Sequence, residues 1–274
     1  MNFMFKKAIL PLAVLFALSA CGGGSSSSVN SLSGASALSN SLAAISTFAD
    51  NGGVAAGNAT DTDDGEELRV LIIGPQISET VSALNTLLTD SNNADLDFDN
   101  ATSTNTLADG STVEEGTTTF DGDTLDFAAV TDRNQEALVA AFGDANSSFV
   151  LVFGEAMSGS LVGSHTYTGT FGMGETGPIA NIDLGSFTMT ADFGGNTYTF
   201  TGATNGGDTL TGSGSFNLEY GTFTSSTFTA VNSGTSSAAT VYGQFHGNGG
   251  SSVSGVFHTN EATPTHHGGF AGSR

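Results

Sequence analysis

From Ser148 onward the chain alternates apolar and polar side chains in short segments that break at Gly, Asn or Asp. A period of two places successive side chains on opposite faces, which is the pattern of half-buried strands. Tyr167, Gly169 and Phe171 share one face, as do Tyr198 and Phe200, and Phe187, Met189, Ala191 and Phe193. Gly194-Gly195-Asn196, Asn205-Gly206-Gly207 and Gly221 mark the turns. Counted from His165, about eight such segments fit the last ~110 residues. A sheet of that length hides its edges by closing, and eight strands make a barrel narrow enough for side chains to fill. The expected fold is therefore mainly β, with a C-terminal eight-stranded antiparallel up-and-down barrel. About one inward Phe or Tyr per strand would give a packed core rather than a channel. Between Ile182 and Phe193 the apolar parity moves from even to odd, which predicts a bulge near Gly185.

The preceding half has a different texture. Leu38, Leu42, Ile45 and Phe48 fall on one face of a short helix. Asn51 to Gly65 reads as loop, and Leu68 to Ile73 as a buried strand. Ser78 caps a predicted helix over 79–88. Residues 90–125 are polar and acidic enough for partial disorder. Asp132 and Gln135 have capping-box spacing ahead of Ala137 to Phe142, with Gly143 as the stop, so a second helix is predicted there. The chain then divides into 1–20, a signal peptide; 21–65, a flexible tether; 66–146, a small α/β or partly disordered, partly helical accessory region; and 147–274, the barrel.

The N-terminus carries an address. Lys6 and Lys7 precede an apolar run, Ala8 to Leu18, that is too short to span a bilayer. Leu18-Ser19-Ala20-Cys21 resembles the bacterial lipobox, whose Cys is lipidated and becomes the first mature residue. Cys21 is the only cysteine of the chain, so an intrachain disulfide, a multi-cysteine zinc site and CxxC redox chemistry are excluded. Gly22 in place of Asp after the Cys points to the outer membrane, with several acyl chains as the tie. Removal of the signal leaves Arg69, Arg133 and Arg274 against 27 Asp and Glu. Such a surface repels phosphate backbones and anionic lipid, which excludes nucleic acid as a partner and makes the membrane contact covalent.

Four segments of the barrel region resemble one known family. Gly163 to Gly169 (GSHTYTG) is similar to the first strand of transferrin-binding-protein-B-like barrels, with Tyr167 and Gly169 in place. Gly243-Gln244-Phe245-His246-Gly247 resembles their G-x-F-Y-G strand, Gly255-Val256-Phe257 the return strand, and Gly268 to Arg274, with Phe270, the terminal strand. Order and spacing agree with one closing barrel. The sequence departs from the pattern at His246, where Tyr is usual, and in having one barrel rather than two lobes. The resemblance implies a surface lipoprotein of Gram-negative bacteria that displays loops. Relatives bind host proteins such as transferrin or factor H, bind haem, or are grouped as transferrin-binding-protein-like solute-binding proteins. Independently of the family, Gly243 and Gly247 flanking Phe245 is a small–large–small device that lets a ring lie across neighbouring backbone, and Gly255 with Phe257 repeats it.

All five histidines lie in the barrel region. Pairing Phe245 with Phe257 would put His246 and His258 on the outer face as diagonal neighbours, with His266 and His267 nearby. These four are the candidate ligands for haem or a divalent metal; exposed histidines on a polar face are the plainer reading. Asp61-Asp63-Asp64, Asp95-Asp97-Asp99 and Asp121-Asp123-Asp126 suggest calcium, but the EF-hand positions for Gly and Glu are not met. There is no GxSxG, HExxH or P-loop, and the GxGxxG of Gly172 to Gly177 lies between strands, so no enzyme is expected. The expected function is capture of a macromolecular or small-solute ligand by barrel loops, with no resident cofactor. Gly172 to Asn181, Asn232 to Ala238 and Thr259 to His267 are the candidate loops. Haem or metal capture, and a ligandless envelope role, are the alternatives.

Overall fold

The computed structural model describes residues 53–60, 67–74, 101–120, 123–143, 148–155, 157–175, 182–218, 221–261 and 265–274. Two antiparallel sheets account for them. Seven strands form an open sheet: β1 (Gly53–Thr60), β2 (Glu67–Gly74), β3 (Ala101–Thr106), β4 (Thr112–Phe120), β5 (Asp123–Thr131), β6 (Ala137–Gly143) and β7 (Ser148–Glu155). Their order is β1-β2-β7-β6-β5-β4-β3, so the β3-to-β7 meander returns to lie beside β2. Eight further strands close on themselves: β8 (Ser164–Glu175), β9 (Asp183–Asp192), β10 (Thr197–Thr204), β11 (Thr209–Asn217), β12 (Thr222–Asn232), β13 (Thr235–His246), β14 (Ser252–Thr259) and β15 (His266–Ser273). Each barrel strand pairs with the next, and β15 pairs with β8 through Phe270 opposite Phe171.

The barrel is filled as its alternation requires. Every strand contributes at least one inward ring to a single cluster: Tyr167 and Phe171, Phe187, Tyr198 and Phe200, Phe216, Phe223 and Phe228, Phe245, Phe257 and Phe270. Ring centroids lie 4.7–6.2 Å apart in tilted, stacked and edge-on pairs, the distances at which aromatic pairs attract beyond their area burial. The small–large–small device is present: the Phe223 ring lies against Gly243, and the Phe270 ring against Gly255.

Several expectations change. Ala137 to Phe142 is strand β6, not a helix. All seven residues of β6 are buried: Val139 and Ala141 pack on the barrel, and Leu138, Ala140 and Phe142 on the other face are buried as fully. With both faces covered the alternation disappears, and a short apolar run no longer distinguishes strand from helix. The Asp132 carboxylate does accept backbone N–H groups, from Asn134, Glu136 and Ala137, but it closes a hairpin turn in which Gln135 has φ 63°. The helices predicted over 38–48 and 79–88 lie outside the described residues. Strand β1 falls inside the segment read as tether, and β7 belongs to the open sheet. No bulge occurs at Gly185: the pairing with β8 runs through it in register, and the pairing with β10 ends at it. Ile182 and Leu184 are apolar because they face the open sheet, at the edge of the seam cluster. In the barrel the register shifts lie instead between β11 and β12 and between β12 and β13.

The seam between the sheets is apolar. Val113, Val130, Val139, Ala141, Val150 and Val152 of the open sheet meet Val256 and Ala271 on the outer face of β14 and β15. His246 is fully buried in it. Its ring lies against Gly154 of β7, and its Nε2 is 2.6 Å from Ser254 Oγ. Gly154→Ala is expected to destabilise the protein by about 2 kcal/mol through overpacking. A Gly154→Ala/His246→Ala pair should lose less than the sum of the single changes, measured by chemical denaturation as a double-mutant cycle.

Candidate functional site: the loop end of the barrel

Antiparallel strands return alternately to two ends. The connections after β8, β10, β12 and β14 therefore share one end, and all three candidate loop segments belong to it. Side chains stitch these turns together. Asp208, between β10 and β11, accepts from Asn232 Nδ2 at 3.0 Å and from Ser233 N at 2.9 Å in the β12–β13 turn. Asp183 at the start of β9 accepts from Gly206 N. Thr240 Oγ1 donates to Asn260 Oδ1 at 2.8 Å, and Asn260 N to Ala238 O at 2.8 Å. The β12–β13 turn is tight, with Ser233 at φ 47° and Gly234 at φ 82°. The described turns at this end are thus tied to one another and to a rigid scaffold, the usual setting for recognition.

The loop end carries carboxylates, whereas the opposite end carries both signs, because Asp132, Glu136 and Asp192 stand there beside two arginines. Glu175, Asp183, Asp208 and Glu261 stand at the loop end. Arg133 and Arg274 stand at the other: the Arg133 side chain lies over Gly110, and Arg274 beside Gly249. That opposite end also carries an open recess of about 660 Å³, where the β11–β12 hairpin brings Asn196, Asn217, Thr222 and Thr224 around Phe216 and Phe223.

The histidines divide between the ends. His246 pairs with Ser252 and His258 with Thr240. Along β13 the two positions are six residues apart, roughly 20 Å, so they are not diagonal neighbours. The expected pairing of Phe245 with Phe257 is replaced by Phe245 with Val253, because Gly247 to Ser251 closes the hairpin early, with Gly247, Gly249 and Gly250 at positive φ. What the register does bring together is His258 and His267, directly opposite on β14 and β15. Both are buried, at 5% and 1% exposure. His258 Nδ1 donates to Thr259 O at 2.9 Å, leaving Nε2 without a hydrogen-bond partner, and the ring stacks on Tyr242 at 6.1 Å. Burial pushes the His258 imidazole below its ordinary value. Burial, followed by the neighbouring His266 and His258, pushes His267 down to about 4. His266 is next in sequence but points to the other face, its Nδ1 2.9 Å from Thr265 Oγ1. The four candidate ligands are thus one adjacent pair and two separate residues. Among the described residues no group of three or more His, Cys, Asp or Glu is placed to hold a metal ion. His165, the fifth, is at the opposite end with Nε2 2.8 Å from Val162 O. Cys21 lies outside the described residues.

Of the motif residues, Tyr167, Phe245, Phe257 and Phe270 are inside the barrel, and Gly169, Gly243 and Gly255 admit close backbone or ring contact. Gly247 instead makes the β13–β14 turn. The stitching by Asp208 and Asp183 had no signal in the sequence, since it depends on which turns share an end.

Fold and site define a class: a filled eight-stranded barrel with a docked antiparallel sheet and short loops displayed at one end. No family model matches the chain, and no curated protein matches it. Solved structures do. Intact Ap-TbpB (N and C lobes) is 13% identical, with 80% of this chain and 52% of that chain covered and a TM-score of 0.48. Transferrin Binding Protein B from Haemophilus parasuis is 14% identical, with 81% and 50% covered and a TM-score of 0.46. The N-lobe domain of Lactoferrin Binding Protein B of Moraxella bovis is 11% identical, with 59% and 79% covered and a TM-score of 0.34. The chain is distantly similar to these proteins and spans about half the length of the first two. At this distance the likeness says nothing of what this chain binds.

Proposed function

We propose that this is a lipid-anchored outer-membrane protein, exposed at the cell surface, that captures a macromolecular or small-solute ligand with the loop end of its barrel. The observation that carries the reading is the gathering of three separate loop segments on one end of a barrel whose interior is full. A filled barrel offers no internal ligand chamber, so recognition falls to the displayed turns. The lipobox at Cys21 supports the anchor, and the barrel motifs support a role in binding rather than catalysis.

Protease shaving of intact cells tests it, with an epitope inserted between Ser233 and Gly234 and a periplasmic protein as control. Loss of the epitope while the control survives is the expected result. Pull-downs from the natural medium with Asn232 to Thr235 and Thr259 to Thr265 replaced by Gly-Ser should then recover less ligand than the unaltered protein. An epitope protected as well as the control would overturn the surface reading.

A further inference from the structure

The β5–β6 turn docks on the β13–β14 loop through one serine with too many acceptors. Ser252 Oγ lies 2.7 Å from Asp132 Oδ2 and 2.7 Å from Glu136 Oε2. Asn134 Nδ2 reaches the same oxygen at 3.3 Å. Ser251 Oγ donates to Glu136 Oε2 at 2.5 Å, so its hydrogen is committed there. A hydroxyl has one hydrogen, and ionised carboxylates only accept. Ser252 can therefore donate to one carboxylate. An oxygen–oxygen approach of 2.7 Å to the second is a hydrogen-bond length with no hydrogen in it unless that carboxyl carries one.

We propose that Asp132 holds a proton that it donates to Ser252, whose own hydrogen goes to Glu136, and that this proton makes the turn an acid-strengthened latch between the open sheet and the barrel. The chain of donors runs from the Asp132 Oδ2–H to Ser252 Oγ, and from Ser252 Oγ–H to Glu136 Oε2. Asp132 is the better seat for the proton because it is 2% exposed. Burial raises its carboxyl above the ordinary range, although hydrogen bonds from Ala137, Ser252, Asn134 and Glu136 work in the other direction. The surrounding elements contribute few countercharges. Asp109 in the β3–β4 turn is occupied with Ser111. Arg133 in the same turn as the latch lies over Gly110, Arg274 beside Gly249, and His246 of β13 against Gly154. The sign follows from the raised value. The latch contributes fully below the ordinary carboxyl value of 3.8 and is lost as pH rises through the folded-state value. Above it, two carboxylates face one another across a single hydroxyl.

Difference infrared spectroscopy of the intact protein tests the proton directly. One protonated-carboxyl C=O band should persist after the exposed carboxyls have ionised, and should disappear in both Asp132→Asn and Glu136→Gln. Glu136→Gln supplies an N–H to Ser252 and keeps the docking, whereas Asp132→Asn sets its amide N–H against the Asn134 N–H and is the harsher change. The difference in denaturant midpoint between the wild type and each variant should shrink as the band is lost. A wild type without the band, or a band that survives both changes, overturns the proposal. So does loss of docking on treatment with a chelator, which would put a bound cation where the proton is assigned. If one variant fails to fold, the other still decides.

Discussion

Gly243→Ala is expected to cost the barrel about 3 kcal/mol, near the upper end of ordinary overpacking changes. Gly243 sits in β13 between Phe223 of β12 and Gly255 of β14. A methyl group there meets the Phe223 ring and, at 2.8 Å, the Ser254 carbonyl oxygen. The carbonyl is backbone and cannot swing aside. The ring is held by Tyr198 at 4.7 Å and Phe245 at 5.5 Å, so it cannot retreat without displacing the rest of the layer. Urea unfolding measures the loss. Adding Phe223→Leu should recover part of it, making the double change less damaging than the sum. A Gly243→Ala protein within about 0.5 kcal/mol of wild type would mean the ring does not lie there.

Acid should act on the loop end almost as strongly. An unfolded His binds its proton at about 6.5, while buried His267 holds it only at about 4. A depressed imidazole value means the unfolded state takes up protons first. Stability is therefore intact above about pH 6.5 and falls as pH drops towards 4, by about 3 kcal/mol for this residue. His258, opposite it, is lowered for the same reason and adds in the same direction. Denaturant midpoints measured across that interval should fall in the wild type and fall much less in His267→Gln. A slope unchanged by His267→Gln and His258→Gln together would refute the assignment. The carboxyl latch at the opposite end has the reverse sign, so Asp132→Asn should steepen the acid loss rather than relieve it.

The barrel was legible because its inner face is apolar and most of its outer face is wet, which preserves a period of two along β10 and β12. Where a second sheet covers the outside, the signal fails in a consistent way. β6 reads as a helix because both its faces are buried, and Ile182 and Leu184 read as a shifted register because they pack, half-buried, on the open sheet. Apolar residues on both faces of barrel strands are thus the mark of a docked layer. The histidine constellation was misjudged for a different reason. Face parity was right, but pairing depends on how early Gly247-Asn248-Gly249-Gly250 turns the chain. A four-residue difference in that turn separates His246 from His258 and sets His258 against His267 instead. The Ser252 network had no local signal, since its members lie more than a hundred residues apart in sequence.

Barrel closure has a consequence for the order of events during folding. β15 seals the barrel against β8, roughly a hundred residues earlier in sequence. The same strand, with β14, forms the surface on which Val139 and Val150 dock. A chain emerging N-terminus first thus presents the apolar face of its open sheet before the wall that covers it exists. Neither layer can reach its final state until the residues of β15 are free. Loss of those few residues would unfasten both at once, and the chain would be exposed to proteases and holding chaperones along its whole length rather than at one end.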